Sequence, residues 1–141
     1  MNPKNSSSFI GIPPTHSYAT APRDIEILLV PGGLGSRSPY INSTLDYISK
    51  SFPKLKYLIT VCTGSLVVAR TGLLSGKRVT TNKAAFKDVV AADPSARWIP
   101  HARWAVDGKI WSSSGVSAGI DVTLAWISCH YGDDVATMVT K

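Results

Sequence analysis

The chain has 141 residues, 44% of them hydrophobic and 17% charged, with a mean hydropathy of +0.08. That length suffices for one domain with a true core. No apolar stretch reaches the ~20 residues of a membrane-crossing helix, and the N-terminal MNPKNSSSFIGIPPTH lacks the apolar centre of a secretion signal. The net charge of +6 invites a nucleic-acid reading, but the 15 Lys and Arg are scattered, with no basic run longer than Lys77-Arg78. The charge therefore reads as a mildly basic soluble surface, with neither nucleic acid nor membrane expected as a partner. Two cysteines, Cys62 and Cys129, make neither a disulfide framework nor a metal-ligand spacing. Reduced thiols, a cytoplasmic setting and no metal or other cofactor are the expectation.

Residues 1–12 are rich in Ser, Asn and Pro and read as an irregular tail, the first eight disordered. Within that tail only residues 8–12, SFIGI, could form a short strand. Residues 13–141 read as one α/β domain. Residues 25–30 are almost continuously apolar and end at Pro31-Gly32-Gly33, which predicts a strand buried on both faces. The two glycines leave unencumbered N–H groups at the strand's C-terminal end, where open α/β sheets carry their ligands; a plain tight turn is the alternative. PGGLG matches neither phosphate-loop pattern. A helix follows from about Thr44, with Ser43 and Asp46 in a capping-box spacing, Leu45, Ile48 and Phe52 on one face, and Pro53 as its stop.

The most informative stretch is 57–76, YLITVCTGSLVVARTGLLSG. A strand runs to Cys62, a small-residue turn Thr63-Gly64-Ser65 follows, and a helix places Leu66, Ala69 and Leu73 on one face, bracketed by Gly72 and Gly76. A thiol at such a corner lies near a helix N-terminus, whose free N–H groups favour thiolate. A small buried cysteine in a βα unit is the competing reading. Residues 79–81 predict a short strand, and Asn82 caps a helix with Phe86, Val89 and Val90 inward, closed by Pro94. Residues 98–114 predict two strands around Asp107-Gly108, a hairpin signal. A helix capped by Ser117 follows, with the stripe Ile120, Leu124, Ile127 and Tyr131; Cys129 lies off that stripe and reads as a packing thiol. His130 reads as a charge at the helix C-terminus, and residues 133–141 begin another helix. Strands alternating with helices predict a mostly parallel sheet covered on both faces.

Four segments together resemble the ThiJ/PfpI family: ILLVPGGLG (27–35), ITVCTGSLVVARTGLLSGKRVTTNKAAF (59–86), DGKIWSSSGVSAGIDVTLAWI (107–127) and HYGDDVA (130–136). The Cys-Thr-Gly corner and the SAGID segment are most similar to the isonitrile hydratase-like branch, and also resemble the ligand domains of AraC-type regulators. The resemblance implies the class I glutamine amidotransferase-like fold, a flavodoxin-like three-layer sandwich with a nucleophile-elbow cysteine. It implies that Cys62 is the nucleophile, that the backbone N–H groups of Gly33 and Thr63 form the oxyanion hole, and that the protein is a homodimer acting on a small molecule.

Family members also carry an N-terminal strand–helix unit whose carboxylate hydrogen-bonds the cysteine. No acidic residue here falls at an equivalent position, and Thr63 rather than His follows Cys62. His101 reads as a surface residue. The expectation is therefore a domain incomplete at its N-terminus and at its C-terminus, with a strand edge left unpaired and with weak or no turnover. If active, it would be a hydratase, lyase or hydrolase using a cysteine nucleophile. The alternative is a ligand-sensing domain, or a redox-responsive one in which Cys62 oxidises without turnover.

Overall fold

The computed structural model describes residues 12–141. Four strands form the main sheet: β1 (Ile27–Val30), β2 (Tyr57–Thr60), β5 (Trp104–Asp107) and β6 (Ile110–Ser113). Their order is β1-β2-β6-β5; β1, β2 and β6 are parallel, and β5 joins antiparallel through its hairpin with β6. A separate parallel pair joins β3 (Arg78–Val79) to β4 (Arg97–Trp98). The helices are α1 (Asn42–Ser51), α2 (Gly64–Ala69), α3 (Phe86–Ala92), α4 (Ala118–Tyr131) and α5 (Asp133–Val139).

The period-2 alternation of a strand divides the core in two. On one face Val30, Leu58 and Ile110 pack with Ile48 of α1 and with Val67 and Val68 of α2. On the other, Ile59 and Trp111 pack with Val122 and Trp126 of α4. Helices on both faces of a mostly parallel sheet make the three-layer, flavodoxin-like α/β architecture expected from the sequence. Among the described residues no helix is long and apolar enough to cross a membrane.

Several local expectations change. Strand β1 is at the edge of the sheet among the described residues, and one of its faces is open: Ile27 and Leu29 are 40% and 48% exposed. A continuous apolar run cannot distinguish a strand covered on both faces from an edge strand beside a groove. Helix α1 begins at Asn42 with Ile41 in the cap position and no side-chain cap bond, so the Ser43–Asp46 box does not form. Helix α2 ends at Ala69, leaving Leu73 in the turns that follow, where Gly72 and Gly76 take positive φ. Trp98 belongs to β4, and the first hairpin arm starts only at Trp104.

Ser117 precedes α4 without a side-chain cap bond. The face α4 buries is Ala118, Gly119, Val122 and Trp126, whereas Ile120 and Tyr131 of the expected stripe are exposed. The helix is apolar on two sides. Its second side, with Leu124 and Ile127, lines an open groove beside Leu29 of β1. Cys129 is exposed rather than packed. His130 bridges two elements: its Nδ1 meets the Trp126 carbonyl at 2.7 Å and its Nε2 meets the Tyr57 hydroxyl at 2.5 Å. The tail reading over residues 1–11, including most of the possible strand at 8–12, lies outside the described residues; Ile12 is exposed.

Candidate active site at the β2–α2 elbow

Strand β2 runs between β1 and β6, and the chain turns sharply just past its end. Val61 N–H donates to the Val30 carbonyl (3.0 Å), and Cys62 N–H donates to the Ser114 carbonyl (2.9 Å), so the last residues before the corner remain tied to both neighbouring strand ends. Cys62 then adopts φ 60°. A side chain in this left-handed region crowds its own backbone, at a cost of roughly 1–2 kcal/mol. The surroundings hold it there. The Cys62 carbonyl accepts from the Ser65 and Thr81 hydroxyls, each at 3.1 Å, and Gly64 N–H donates to the Val61 carbonyl at 2.9 Å. The result is a half-buried thiol raised above the end of the sheet, at the start of a fully buried helix.

Glycine is required at two of these positions by space. A Cβ on Gly64 would lie 2.1 Å from the Val30 carbonyl oxygen, and one on Gly32 would lie 2.6 Å from the Thr63 nitrogen. Both distances are far inside van der Waals contact, so the Pro-Gly-Gly turn and the Cys-Thr-Gly corner press backbone against backbone. This close approach brings Gly33, Cys62 and Thr63 together, the three residues the sequence singled out. Gly33 itself has φ 146° and ψ 179°, a conformation open essentially to glycine alone.

The two expected amides differ in what they face. The Gly33 N–H donates to the Thr63 hydroxyl at 3.0 Å, and that hydroxyl also lies 3.4 Å from the Gly33 carbonyl. The Thr63 N–H has no acceptor among the described residues. One donor of the pair is thus free, and the other is covered by a hydroxyl that can rotate about a single χ1 torsion.

The sulfur has a partner that the sequence pattern does not reveal. Asn82 Nδ2 donates to Cys62 Sγ at 3.0 Å. Asn82 is legible as a helix cap, but what it caps is the short 3-10 turn Lys83–Ala85 ahead of α3, its Oδ1 accepting from Ala84 N–H at 2.8 Å; α3 itself starts behind Ala85 with no side-chain cap. Nothing local in the sequence shows that the other end of the same amide reaches a residue twenty positions earlier. The same connection carries Lys83, whose ammonium donates to the Thr80 hydroxyl (2.7 Å) and whose pKa is lowered from the ordinary lysine value by burial. Among the described residues no carboxylate hydrogen-bonds the sulfur, and His101 is exposed.

Two hollows flank the corner. The larger is apolar and runs from Val61 and Val116 along Gly119, Ile120 and Leu124 to Val139. The smaller lies behind the Gly32-Gly33 turn, between Tyr18, Ile41 and Val67. Val116, in the loop between β6 and α4, is 81% exposed at φ 34°, a rare conformation for a β-branched residue.

The matches with known proteins bear on the family and the fold. The model of the DJ-1/PfpI family matches residues 4–128. The chain is 36% identical over 140 residues to the isonitrile hydratase of Pseudomonas putida; the match takes in 97% of this chain and spans 59% of that protein's length. Among solved structures, a ThiJ/PfpI family protein from Pseudomonas syringae superposes with a TM-score of 0.76 at 26% identity, over 93% of this chain and 55% of that one. An AraC family transcriptional regulator from Pseudomonas putida shares the fold, with a TM-score of 0.72 at 22% identity over 89% of this chain and 66% of that one. With the family model covering most of its length and the elbow standing where the sequence places it, the chain belongs to the DJ-1/PfpI family.

Proposed function

We propose that this domain carries a cysteine-dependent site for a small electrophilic molecule, of the isonitrile hydratase type. The observation that carries the reading is the strained Cys62 at φ 60°, held at the end of the sheet with its sulfur accepting from Asn82. Strain of this kind persists where the surroundings over-determine it, and such residues cluster at functional sites. The 36% identity to an isonitrile hydratase supports the choice of substrate class, and the apolar hollow beginning at Val61 suits the hydrocarbon part of such a molecule.

In the proposed reaction the Cys62 thiolate adds to the isonitrile carbon, forming a C–S bond while that carbon takes up a proton to give a thioimidate. Water then adds across the C=N bond. Collapse of the adduct breaks the C–S bond, returns the thiolate and leaves an N-substituted formamide. The Thr63 N–H supports negative charge as it develops, and the Gly33 N–H joins it once the Thr63 hydroxyl turns aside. No carboxylate meets the sulfur among the described residues, so within them proton transfer runs through water.

Two measurements test this. Formamide production from an alkyl isonitrile should be detectable and should vanish in Cys62→Ser. In addition, Cys62 should be alkylated by iodoacetamide faster than Cys129 at neutral pH, even though Cys129 is the more exposed of the two. Equal labelling of the two thiols would refute an activated nucleophile at the elbow.

A further inference from the structure

We propose that Asn82 is the residue that holds the Cys62 sulfur in its reactive form, through one amide group that serves two elements at once. The inference rests on the reading of Cys62 as a nucleophile and adds the group that acts on it.

The orientation of the amide decides the matter. Carboxamide oxygen and nitrogen are assigned from their hydrogen-bond partners. Here Ala84 N–H, a group that can only donate, lies 2.8 Å from one amide atom, which must therefore be the oxygen Oδ1. The atom 3.0 Å from Cys62 Sγ is then the nitrogen, and Asn82 offers sulfur a donor rather than an acceptor. The cap fixes the flip. Gly115 leaves space for this arrangement: a Cβ there would come within 3.1 Å of Nδ2 and 3.6 Å of Cγ, so the amide would have to give by a few tenths of an ångström.

A donor at this point distinguishes the two forms of the thiol. A neutral S–H is a weak acceptor, whereas a thiolate accepts a charge-assisted bond about twice as strong as a neutral one. The Asn82 bond is therefore strongest when the sulfur carries charge. It acts again when the C–S bond breaks, because the departing sulfur regains its charge beside the same N–H. Asn82 touches the reacting atom, and no proton leaves its amide at any step.

The two halves of the amide can be separated by substitution. Asp and Ser cap helices about as well as Asn, so Asn82→Asp and Asn82→Ser both keep an acceptor for Ala84 N–H. Neither keeps the Nδ2 donor, and Asp places a carboxylate where the donor was. Labelling of Cys62 with iodoacetamide should be followed near neutral pH and again at about pH 10, where thiols are largely ionised in any case, with Cys129 as the internal control and thermal unfolding recorded for each variant. At neutral pH the Ser variant should label about fivefold more slowly than wild type and the Asp variant about tenfold or more, because like charges at this distance oppose ionisation. The deficit should close at about pH 10, with Cys129 unchanged and the melting temperature of at least one variant held.

Wild-type labelling rates at neutral pH in both variants would overturn the proposal. So would a deficit of equal size at both pH values, which would mark Asn82 as acting on access or packing alone. These failures are distinct from failure of the underlying reading, which would show in wild type itself as Cys62 labelling no faster than Cys129.

Discussion

The positive φ of Cys62 gives the elbow a testable energetic signature. Cys62→Ala and Cys62→Gly both delete the sulfur and its bond to Asn82, so the difference between them isolates the backbone. At an ordinary strand or helix position glycine is less stable than alanine by roughly 0.5–1 kcal/mol, because it has more freedom to lose on folding. At φ 60° the alanine Cβ carries a penalty of roughly 1–2 kcal/mol that glycine escapes. The steric penalty outweighs the entropic one, and the glycine variant should be the more stable by about 0.5–1 kcal/mol. For a domain of this size that difference is a rise of about 2–3 °C in melting temperature. Urea titration of the two variants should show the same slope and a higher midpoint for glycine, which assigns the change to stability rather than to the extent of unfolding. The sign is the decisive quantity. An alanine variant as stable as the glycine variant, or more so, would mean that the corner stores no backbone strain, and the inference from strain to function would fall with it.

The glycines and the surface charges add two expectations. Gly64→Ala would drive a Cβ to within 2.1 Å of the Val30 carbonyl, a backbone atom already tied to Val61 N–H, and should cost about 3 kcal/mol in chemical denaturation. Gly119→Ala, whose Cβ would first meet the Val61 side chain at 2.7 Å, should cost distinctly less; equal losses would show that the two backbones are not locked together. Asp107 is held below the ordinary carboxylate range, first by the Arg78 backbone N–H and then by the Lys77 ammonium 3.3 Å away. A depressed folded-state value means that this contribution is present above the unfolded carboxylate value, about pH 4, and is lost as the pH falls through the folded value. Thermal scans from about pH 6 down to about pH 3 should therefore show a shallower decline in Asp107→Asn than in wild type, and parallel curves would rule the contribution out.

The features legible in the sequence are those specified by neighbours in the chain. The strand, corner and helix at 57–69 and the hairpin at Asp107-Gly108 depend on turn chemistry within a few residues, and they stand where the pattern puts them. What escapes depends on partners far away in sequence. The edge position of β1 among the described residues follows from which strands lie beside it. The two apolar sides of α4 make its stripe ambiguous until the sheet is in place, and the sheet takes the side with Val122 and Trp126. Asn82 is the sharpest case. The chemistry of a cap is local and therefore legible, whereas its contact with Cys62 exists only because β3 and its following turn fold back beside the elbow, where Thr81 also bonds the Cys62 carbonyl.

The two parts of the site are anchored differently. The thiol part is held from the interior. Its Cys62 N–H is tied to Ser114 just past β6, its carbonyl to Ser65 and Thr81, and its sulfur to Asn82, so three separate segments fix one residue. The Gly33 amide is carried by the Pro31-Gly32-Gly33 turn at the end of β1, a strand with one sheet neighbour among the described residues and with Ile27 and Leu29 open to solvent, whereas the Thr63 amide sits on the elbow itself. A shift of β1 would act on the Gly33 amide through this turn, which also packs against Cys62 and Thr63. The contact that links turn and elbow, Gly33 N–H to the Thr63 hydroxyl, is also the one that must open for both amides to face a charge at the corner. In the proposed reaction the Gly33 amide is therefore the adjustable donor, and the thiol and the Thr63 amide are the rigid part of the site.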